Sequence, residues 1–494
     1  MLVDINQIIS HFKFEKRGIL HIGAHYGQEV NSYESLGFNN IVAFEASKRN
    51  FEILKERVKD TNAVIVNKAL GPKSGTCKLH VESKNEGMSN SLLEPKLHLQ
   101  QYPHIEFKEV EEVEMITLDS WVESNANYSS FNFICMDVQG YEFEVLLGSK
   151  ETLKNIDCLI CEVNRAELYK NGAFVTEIDM FLRSFGLRRV VTNWEGQTWG
   201  DACYVRDTYL AKSNTTMPKV GLIDANFAHS QSVLGFDSAC LLPTARFDWE
   251  RNIRNVLLDQ NINLVIFTDQ MIENVDIIDG KAKMAWIIEP EEINPNIRQR
   301  VLQVANKFDA VVTHDKKLIS MIPNGRYCSV SSSWIHPTEW FVNDKSKSVS
   351  IIASKKNQTS GHALRHQAAS LIDESHQYGG AYRPVSNKIE ALRDYKFSIA
   401  IENCRQDGLF TEKIIDPMIV GTVPIYWGCS DIGEYFDIRG ILTFDNIDEL
   451  SKILSMDLES WYNSRKEYIE SNSKLARQFS SCDELLLASI VGVS

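Results

Sequence analysis

The sequence has no uninterrupted run of about 20 apolar residues, the length a helix needs to cross a bilayer. Its opening, Met1-Leu2-Val3-Asp4, has no signal-peptide pattern. The expectation is therefore a chain without a membrane span, located in the cytoplasm. A basic excess is missing too: 52 Lys and Arg stand against 66 Asp and Glu, a net charge of −14. Binding a phosphate backbone takes a basic face, so nucleic acid is not expected as a partner. A local basic pocket for a nucleotide diphosphate stays open. The ten cysteines, Cys240 among them, form no ligand cluster. Only Cys158 and Cys161 make a C-x-x-C, and they lie in the apolar run from Ile156 to Val163. There they read as buried small hydrophobes, not as metal ligands or a redox pair. Reduced thiols suit a cytosol. Internal repeats and low-complexity tracts are absent.

What is present is α/β alternation. With 494 residues and 44% hydrophobic content, about three units of roughly 150 residues are expected. Residues 1–16 read as a short amphipathic helix. A strand then runs from Gly18 into the turn Gly23-Ala24-His25-Tyr26-Gly27, and a helix follows. Gly23 and Gly27 would let the backbone approach a ligand closely. The next strand, Asn40 to Phe44, ends in Glu45, where ribose hydroxyls are usually bound. Dinucleotide and methyltransferase folds share this geometry. The three-glycine dinucleotide pattern is missing, which favours S-adenosylmethionine (SAM). A later apolar strand ends at Asp137. A carboxylate there can hold the SAM amino group, coordinate a metal or orient an acceptor hydroxyl. Glu142 reads as a supporting residue, His25 as either functional or structural, and His21 as a satisfied strand histidine. Ser89 and Ser91 lie in a loop able to fold over a cofactor.

Residues 211–218 form the expected linker between a domain of residues 1–210 and two further α/β lobes, 219–343 and 344–494. The last lobe holds one strand–helix–strand unit, from Tyr395 to Gly428. Phe397 to Ile401 suits a buried parallel strand. Thr411 can cap a helix that turns Ile414, Ile415 and Met418 inward, and Gly421 stops it. Lys413 in its first turn and the helix N-terminus would together attract a phosphate. Glu402 or Glu412 could accept hydrogen bonds from ribose hydroxyls. The plain alternative is that Lys413 and the glutamates are ordinary first-turn charges, and that residues 355–366 form a helix with an exposed basic face.

Two resemblances follow from these motifs. Ile22-Gly23-Ala24-His25-x-Gly27, Phe44-Glu45, Met88-Ser89-Asn90-Ser91-Leu92, Thr117-Leu118-Asp119 and Asp137-Val138-Gln139-Gly140-x-Glu142 resemble the FkbM-type methyltransferases over roughly residues 18–205. That resemblance implies a Rossmann-like class I methyltransferase fold and SAM-dependent methylation, often of sugar hydroxyls. Tyr395-Lys396-Phe397, Glu402-Asn403, Thr411-Glu412-Lys413 and Val423-Pro424-Ile425-Tyr426-Trp427-Gly428 resemble the family-10 glycosyltransferases, the α1,3-fucosyltransferases. Leu409 stands where that family usually carries an aromatic residue. This second resemblance implies a two-lobed GT-B architecture, GDP-fucose as donor and a glycan acceptor. It implies Glu289 as general base, Arg365 on the donor diphosphate, and Glu402, Asn403, Thr411, Glu412 and Lys413 around the nucleotide sugar. The lack of a membrane anchor fits the bacterial or viral style of these enzymes better than the animal one. No Asp-x-Asp stands at a strand end of this half, so no metal is expected.

The expected function is a bifunctional glycan-building enzyme, an O-methyltransferase joined to a fucosyltransferase-like glycosyltransferase. The alternatives are that one domain is active and the other docks substrate, or that the chain only binds SAM or a nucleotide.

Overall fold

The computed structural model describes residues 2–213, 215, 217–224 and 247–491. Cys240 and, within the expected linker, Asn214 and Thr216 lie outside them. The chain divides into two compact units, Met1–Thr216 and Met217–Ser494.

In the first unit the apolar runs become the strands of one sheet. They are β1 (Gly18–Ile22), β2 (Asn40–Phe44), β3 (Val64–Val66), β4 (Phe133–Met136), β5 (Cys158–Asn164), β6 (Leu187–Glu195) and β7 (Trp199–Arg206). Their order is β3-β2-β1-β4-β5-β7-β6, with β7 antiparallel to both its neighbours and the first five parallel. This is the Rossmann-like methyltransferase sheet expected from the resemblance. β1, β4 and β5 are buried along their whole length, as strands covered on both faces must be. Cys158 and Cys161 are buried free thiols on β5, and the sulfur of Cys158 lies 3.8 Å from that of Cys203.

The first helix, α1 (Ile5–Phe12), is shorter than the reading over residues 1–16. Lys13 turns left-handed at φ 54°, and its N–H closes on the Ile9 carbonyl at 2.8 Å, which ends the helix. No sequence signal announces a small three-stranded sheet of Ala69–Leu70, Gly75–Glu82 and Phe107–Ile116. Its longest strand carries Lys108, Glu109, Glu111, Glu112 and Glu114, too many charges to show an apolar period.

The second unit contains two parallel sheets. β8 (Lys219–Ile223), β9 (Asp248–Glu250), β10 (Leu264–Thr268), β11 (Ala282–Ile287), β12 (Ala310–Thr313) and β13 (Gly325–Tyr327) lie in the order β9-β8-β10-β11-β12-β13. β14 (Lys347–Ile352), β15 (Gln377–Tyr378), β16 (Tyr395–Ile401), β17 (Val423–Trp427) and β18 (Leu442–Thr443) lie in the order β15-β14-β16-β17-β18. Each has its own apolar core, so the unit is two Rossmann-like lobes. The lobes touch directly. Lys316 of the first reaches Asp431 and Glu434 of the second, and the Tyr327 hydroxyl donates to the Gly408 carbonyl at 3.0 Å.

Two helices of the second lobe position its site. α2 (Ser360–Ala369) begins five residues later than the helix read from 355, where the Thr359 hydroxyl accepts the His362 N–H at 3.3 Å. Its Arg365 is buried, so the face it presents is not an exposed basic one. α3 (Glu412–Ile419) is capped by Thr411 and buries Ile414, Ile415 and Met418. Gly421, at φ +73°, follows its end. Among the described residues no helix is long and apolar enough to cross a membrane.

Candidate active sites

The C-terminal ends of β1, β2 and β4, with Glu162 on β5, border a cavity of about 550 Å³. Gly23 and Ala24 line it, and both donate backbone N–H bonds to the Phe44 carbonyl, at 3.0 and 2.8 Å. Gly23 sits at φ +77°, and a Cβ there would fall 1.8 Å from the Asp137 carbonyl oxygen. Glycine is thus required by the neighbouring strand end before any ligand is considered. Gly27 is different from the expectation. It does not line the cavity, and the space its Cβ would take lies 2.5 Å from the Leu54 side chain.

Glu45 is buried on the cavity wall with both oxygens in use. One accepts the His25 N–H at 2.8 Å and the other the Ser47 N–H at 2.9 Å. Burial pushes its carboxyl up to about 7, against the pull of those N–H groups. Glu45 therefore locks the glycine turn as well as facing the cavity. His25 lines the cavity with its ring held at both nitrogens: Gln28 donates to Nδ1 at 2.9 Å, and Nε2 meets the Glu86 carbonyl at 2.9 Å. This ties the turn to the loop that carries Ser89. Ser89 lines the cavity, whereas Ser91 does not; its hydroxyl donates inward to the Gln139 carbonyl at 2.7 Å.

Asp137 lines the cavity beside Glu162 on β5, a strand acid to which the sequence assigns no role. The Gln139 amide nitrogen donates to both carboxylates, at 2.7 Å each. The Tyr169 hydroxyl donates to the Gln139 amide oxygen at 2.8 Å, which fixes which way the amide faces. Burial raises the pKa of Asp137, and burial together with Asp137, Glu142 and Asp201 raises that of Glu162. Glu142 supports the turn by accepting the Val138 and Gly140 N–H groups at 3.1 and 3.3 Å. A signal for Glu162 did exist: it is the only charged residue of the run Cys158 to Val163. Among the described residues no group of three or more His, Cys, Asp or Glu is arranged to hold a metal.

The second cavity, about 350 Å³, lies within the second unit, between its two sheets. It brings together Glu289 from the end of β11, Arg365 from α2, Glu402 and Asn403 from the end of β16, and Thr411, Glu412 and Lys413 at the start of α3. Asp269, at the end of β10, accepts the N–H groups of Ile288 and Glu289 at 3.0 and 3.2 Å and so sets where Glu289 stands. Burial raises the Glu289 pKa, opposed by Lys413 and Lys356. Arg365 donates from Nε to the Ile401 carbonyl at 2.9 Å and from Nη2 to Asn403 Oδ1 at 2.7 Å, which holds the guanidinium at the strand end.

Glu402 lines the cavity and is at the same time tied to its own loop. It is 1% exposed, and it accepts the Thr411 N–H at 2.8 Å and the Thr411 hydroxyl at 2.7 Å. Gly361 shapes the same place: a Cβ there would lie 1.8 Å from the Glu402 carbonyl oxygen. Lys413 donates to Thr411 Oγ1 at 3.0 Å and to Glu412 at 3.1 Å, and stands 3.6 Å from Glu402. Burial works against the charge on Glu412, but Lys413 and Lys388 outweigh it and hold the carboxyl at about 2.

Three cavity residues escaped the sequence reading. Lys388 lies 2.9 Å from Asp416 and 4.1 Å over the Trp334 ring, and all three line the cavity. They come from separate segments with no periodic signature. Glu291 and Glu292, the two acids that follow Glu289-Pro290, both have partners. Glu291 lies 3.4 Å from Arg298. Glu292 reaches the N-terminus of α2 and accepts the Ser360 N–H at 2.6 Å and its hydroxyl at 3.2 Å.

Residues 21–189 match the family model of the methyltransferase FkbM domain, and residues 342–470 match that of the glycosyltransferase family 10 (fucosyltransferase) C-terminal domain. The 2-O-methyltransferase NoeI of Sinorhizobium fredii is 29% identical over 188 residues, 37% of this chain and 77% of that protein. The alpha-(1,3)-fucosyltransferase FucT of Helicobacter pylori is 35% identical over 121 residues, 22% of this chain and 25% of that protein. The chain thus spans about three quarters of one curated relative and a quarter of the other. A solved alpha1,3-fucosyltransferase structure with GDP-fucose aligns over 63% of this chain and 95% of its own, at 15% identity and a TM-score of 0.33.

Proposed function

From a chain that joins an FkbM methyltransferase domain to a family-10 glycosyltransferase domain, we propose an enzyme that modifies glycans twice. The first unit, with its domain set at residues 1–210, methylates a sugar hydroxyl with SAM. The lobes 219–343 and 344–494 transfer a sugar, fucose from GDP-fucose, to a glycan with inversion. The observation that carries this reading is that Glu289, Arg365 and Lys413, from three separate elements, line one cavity.

SAM, when bound, supplies an already activated methyl group. The chain's work is to seat it and align the acceptor hydroxyl. The cavity volume suits a cofactor of this class. Gly23 and Ala24 would bound the cofactor, with Glu45 toward the ribose hydroxyls, Ser89 closing from the loop, and Asp137 oriented to the acceptor. In the second cavity the cations Arg365, Lys413 and Lys356 suit a diphosphate. Arg365 and Lys413 stabilise the negative charge that grows as the diphosphate leaves, and Glu289 takes the acceptor proton.

The cofactor grip is tested with Glu45→Ala. Charge-assisted hydrogen bonds contribute about 1.5–3 kcal/mol each, so SAM affinity should fall at least about tenfold by titration calorimetry. Unchanged affinity in a folded variant would move the cofactor elsewhere.

The division of labour is tested by crossing two variants, with labelled SAM and labelled nucleotide sugar in separate assays on one acceptor glycan. Lys413→Ala should lower sugar transfer and spare methyl transfer to a ready-made acceptor, and Asp137→Ala should do the reverse. The fragments 1–216 and 217–494 should each fold, since each is a compact unit with its own core. Loss of both activities from either folded point variant would rule out two separate sites. Loss of one activity in the wild type would leave one unit as a docking domain.

A further inference from the structure

The cavity of the first unit has two ends, and the strand order separates them. Along the sheet edge stand the ends of β2, β1, β4 and β5, and then the beginning of the antiparallel β7. Glu45 and Gly23 follow β2 and β1, on the side given above to the cofactor. Asp137 follows β4, in the middle. The far side holds Glu162 of β5 and Trp199, which opens β7 opposite Asn164.

This far side is aromatic and polar at once. Trp199 Nε1 donates to the Tyr102 hydroxyl at 2.9 Å, and the Tyr102 and His98 rings are 5.1 Å apart. All three residues line the cavity. His98 is 4% exposed; its Nε2 meets the Ser89 hydroxyl at 3.2 Å, while its Nδ1 has no hydrogen-bond partner among the described residues. A buried polar atom left unpaired costs free energy until something polar reaches it. Aromatic faces beside unsatisfied polar groups suit a sugar ring, which has apolar C–H faces and hydroxyls around its edge.

The carboxyl pair completes the arrangement. Asp137 and Glu162 both accept from one amide nitrogen, held in place by Tyr169. Two buried carboxyls that face one amide nitrogen do not both ionise readily, and whichever is ionised can receive a proton.

We propose that the β5–β7 side of this cavity is the acceptor subsite. A sugar ring rests on Tyr102 and Trp199, and the hydroxyl to be methylated donates to Glu162, which takes its proton. This deepens the methyltransferase reading of the first unit and rests on it. As the oxygen–methyl bond forms, the methyl–sulfur bond breaks with its electron pair going to sulfur, and the hydroxyl proton passes to Glu162. The groups that face Glu162 are Asp137 at the end of β4, Glu142 after it, Asp201 on β7, and Asn164 and Tyr169.

The test uses the full chain and three variants, Trp199→Ala, Trp199→Phe and Glu162→Gln, with SAM affinity measured first. Wild-type protein that does not bind SAM would end the methyltransferase reading itself. Given SAM binding, methyl α-L-fucopyranoside, methyl β-D-galactopyranoside and methyl β-D-glucopyranoside are compared by saturation-transfer NMR on protein saturated with S-adenosylhomocysteine. Trp199→Ala should reduce the signal of at least one glycoside and raise the acceptor KM about tenfold or more, with SAM affinity unchanged; Trp199→Phe should recover most of both. Glu162→Gln should lower kcat roughly 10²-fold and flatten the acidic limb of its pH profile, with SAM affinity unchanged. Unchanged glycoside signals in Trp199→Ala, or an unchanged kcat and pH profile in Glu162→Gln, would overturn the subsite.

Discussion

Lys413→Met should lower sugar transfer by roughly 10²–10³-fold, the effect of removing one preorganised charge partner from a transition state. The methionine keeps the packed stem and removes only the ammonium. The loss should fall in kcat as well as in donor affinity, because the charge it meets grows as the diphosphate departs. The variant should also be less stable, since Glu412 and Glu402 both lean on this cation. Breaking a buried pair costs about 3–5 kcal/mol, and with the Lys413 side chain 21% exposed the low end applies. The acid limb of stability gives a separate check. Glu412 has a folded-state pKa of about 2 against an ordinary 4.5, so its contribution is present above the ordinary value and is lost as pH falls through about 2. Without Lys413 that depression shrinks, and acid unfolding should begin at higher pH. An acid transition identical to wild type would show that Lys388 alone holds Glu412 down.

Glu289→Gln should cut sugar transfer by about 10²–10⁴-fold while donor affinity stays near wild type. The amide keeps the shape and the place set by Asp269, and loses only the basicity. Burial raises the Glu289 pKa, so wild-type kcat/KM should rise with pH as this carboxyl ionises, through a point above the ordinary 4.5. That limb should vanish in the variant. Glu291→Gln and Glu292→Gln are the comparisons. Glu292 is engaged with Ser360 and Glu291 with Arg298, and neither borders the cavity. A larger loss from either than from Glu289→Gln would put the base elsewhere.

The sequence was most informative where a strand is buried on both faces and ends in a polar residue. β1, β2, β4 and β16 all appear as apolar runs, and the residues directly after them line the two cavities. Helix α3 was legible for the same reason, since its cap and inward residues lie within one short stretch. Partnerships were not legible. Glu289 was singled out from Glu291 and Glu292 by the resemblance, but nothing in Glu289-Pro290-Glu291-Glu292 tells that Glu292 meets a helix N-terminus in the other lobe. Glu402 read as a free acceptor because its claimant, Thr411, lies beyond an intervening loop. Tyr102 and Trp199 meet only because β7 runs backwards beside β5, a fact of topology that no local window contains.

The two glycines that border strand ends, Gly23 and Gly361, have a consequence for how these units can be altered. In each, the carbon atom a larger residue would add falls 1.8 Å from a neighbouring carbonyl, that of Asp137 in one and of Glu402 in the other. Moving that carbonyl moves the acid attached to it. A laboratory library aimed at new donors or acceptors would therefore find positions 23 and 361 closed whatever ligand was selected. Variation has to enter from residues such as Trp199 or Trp334, which border the same cavities without setting the distance between adjacent strands.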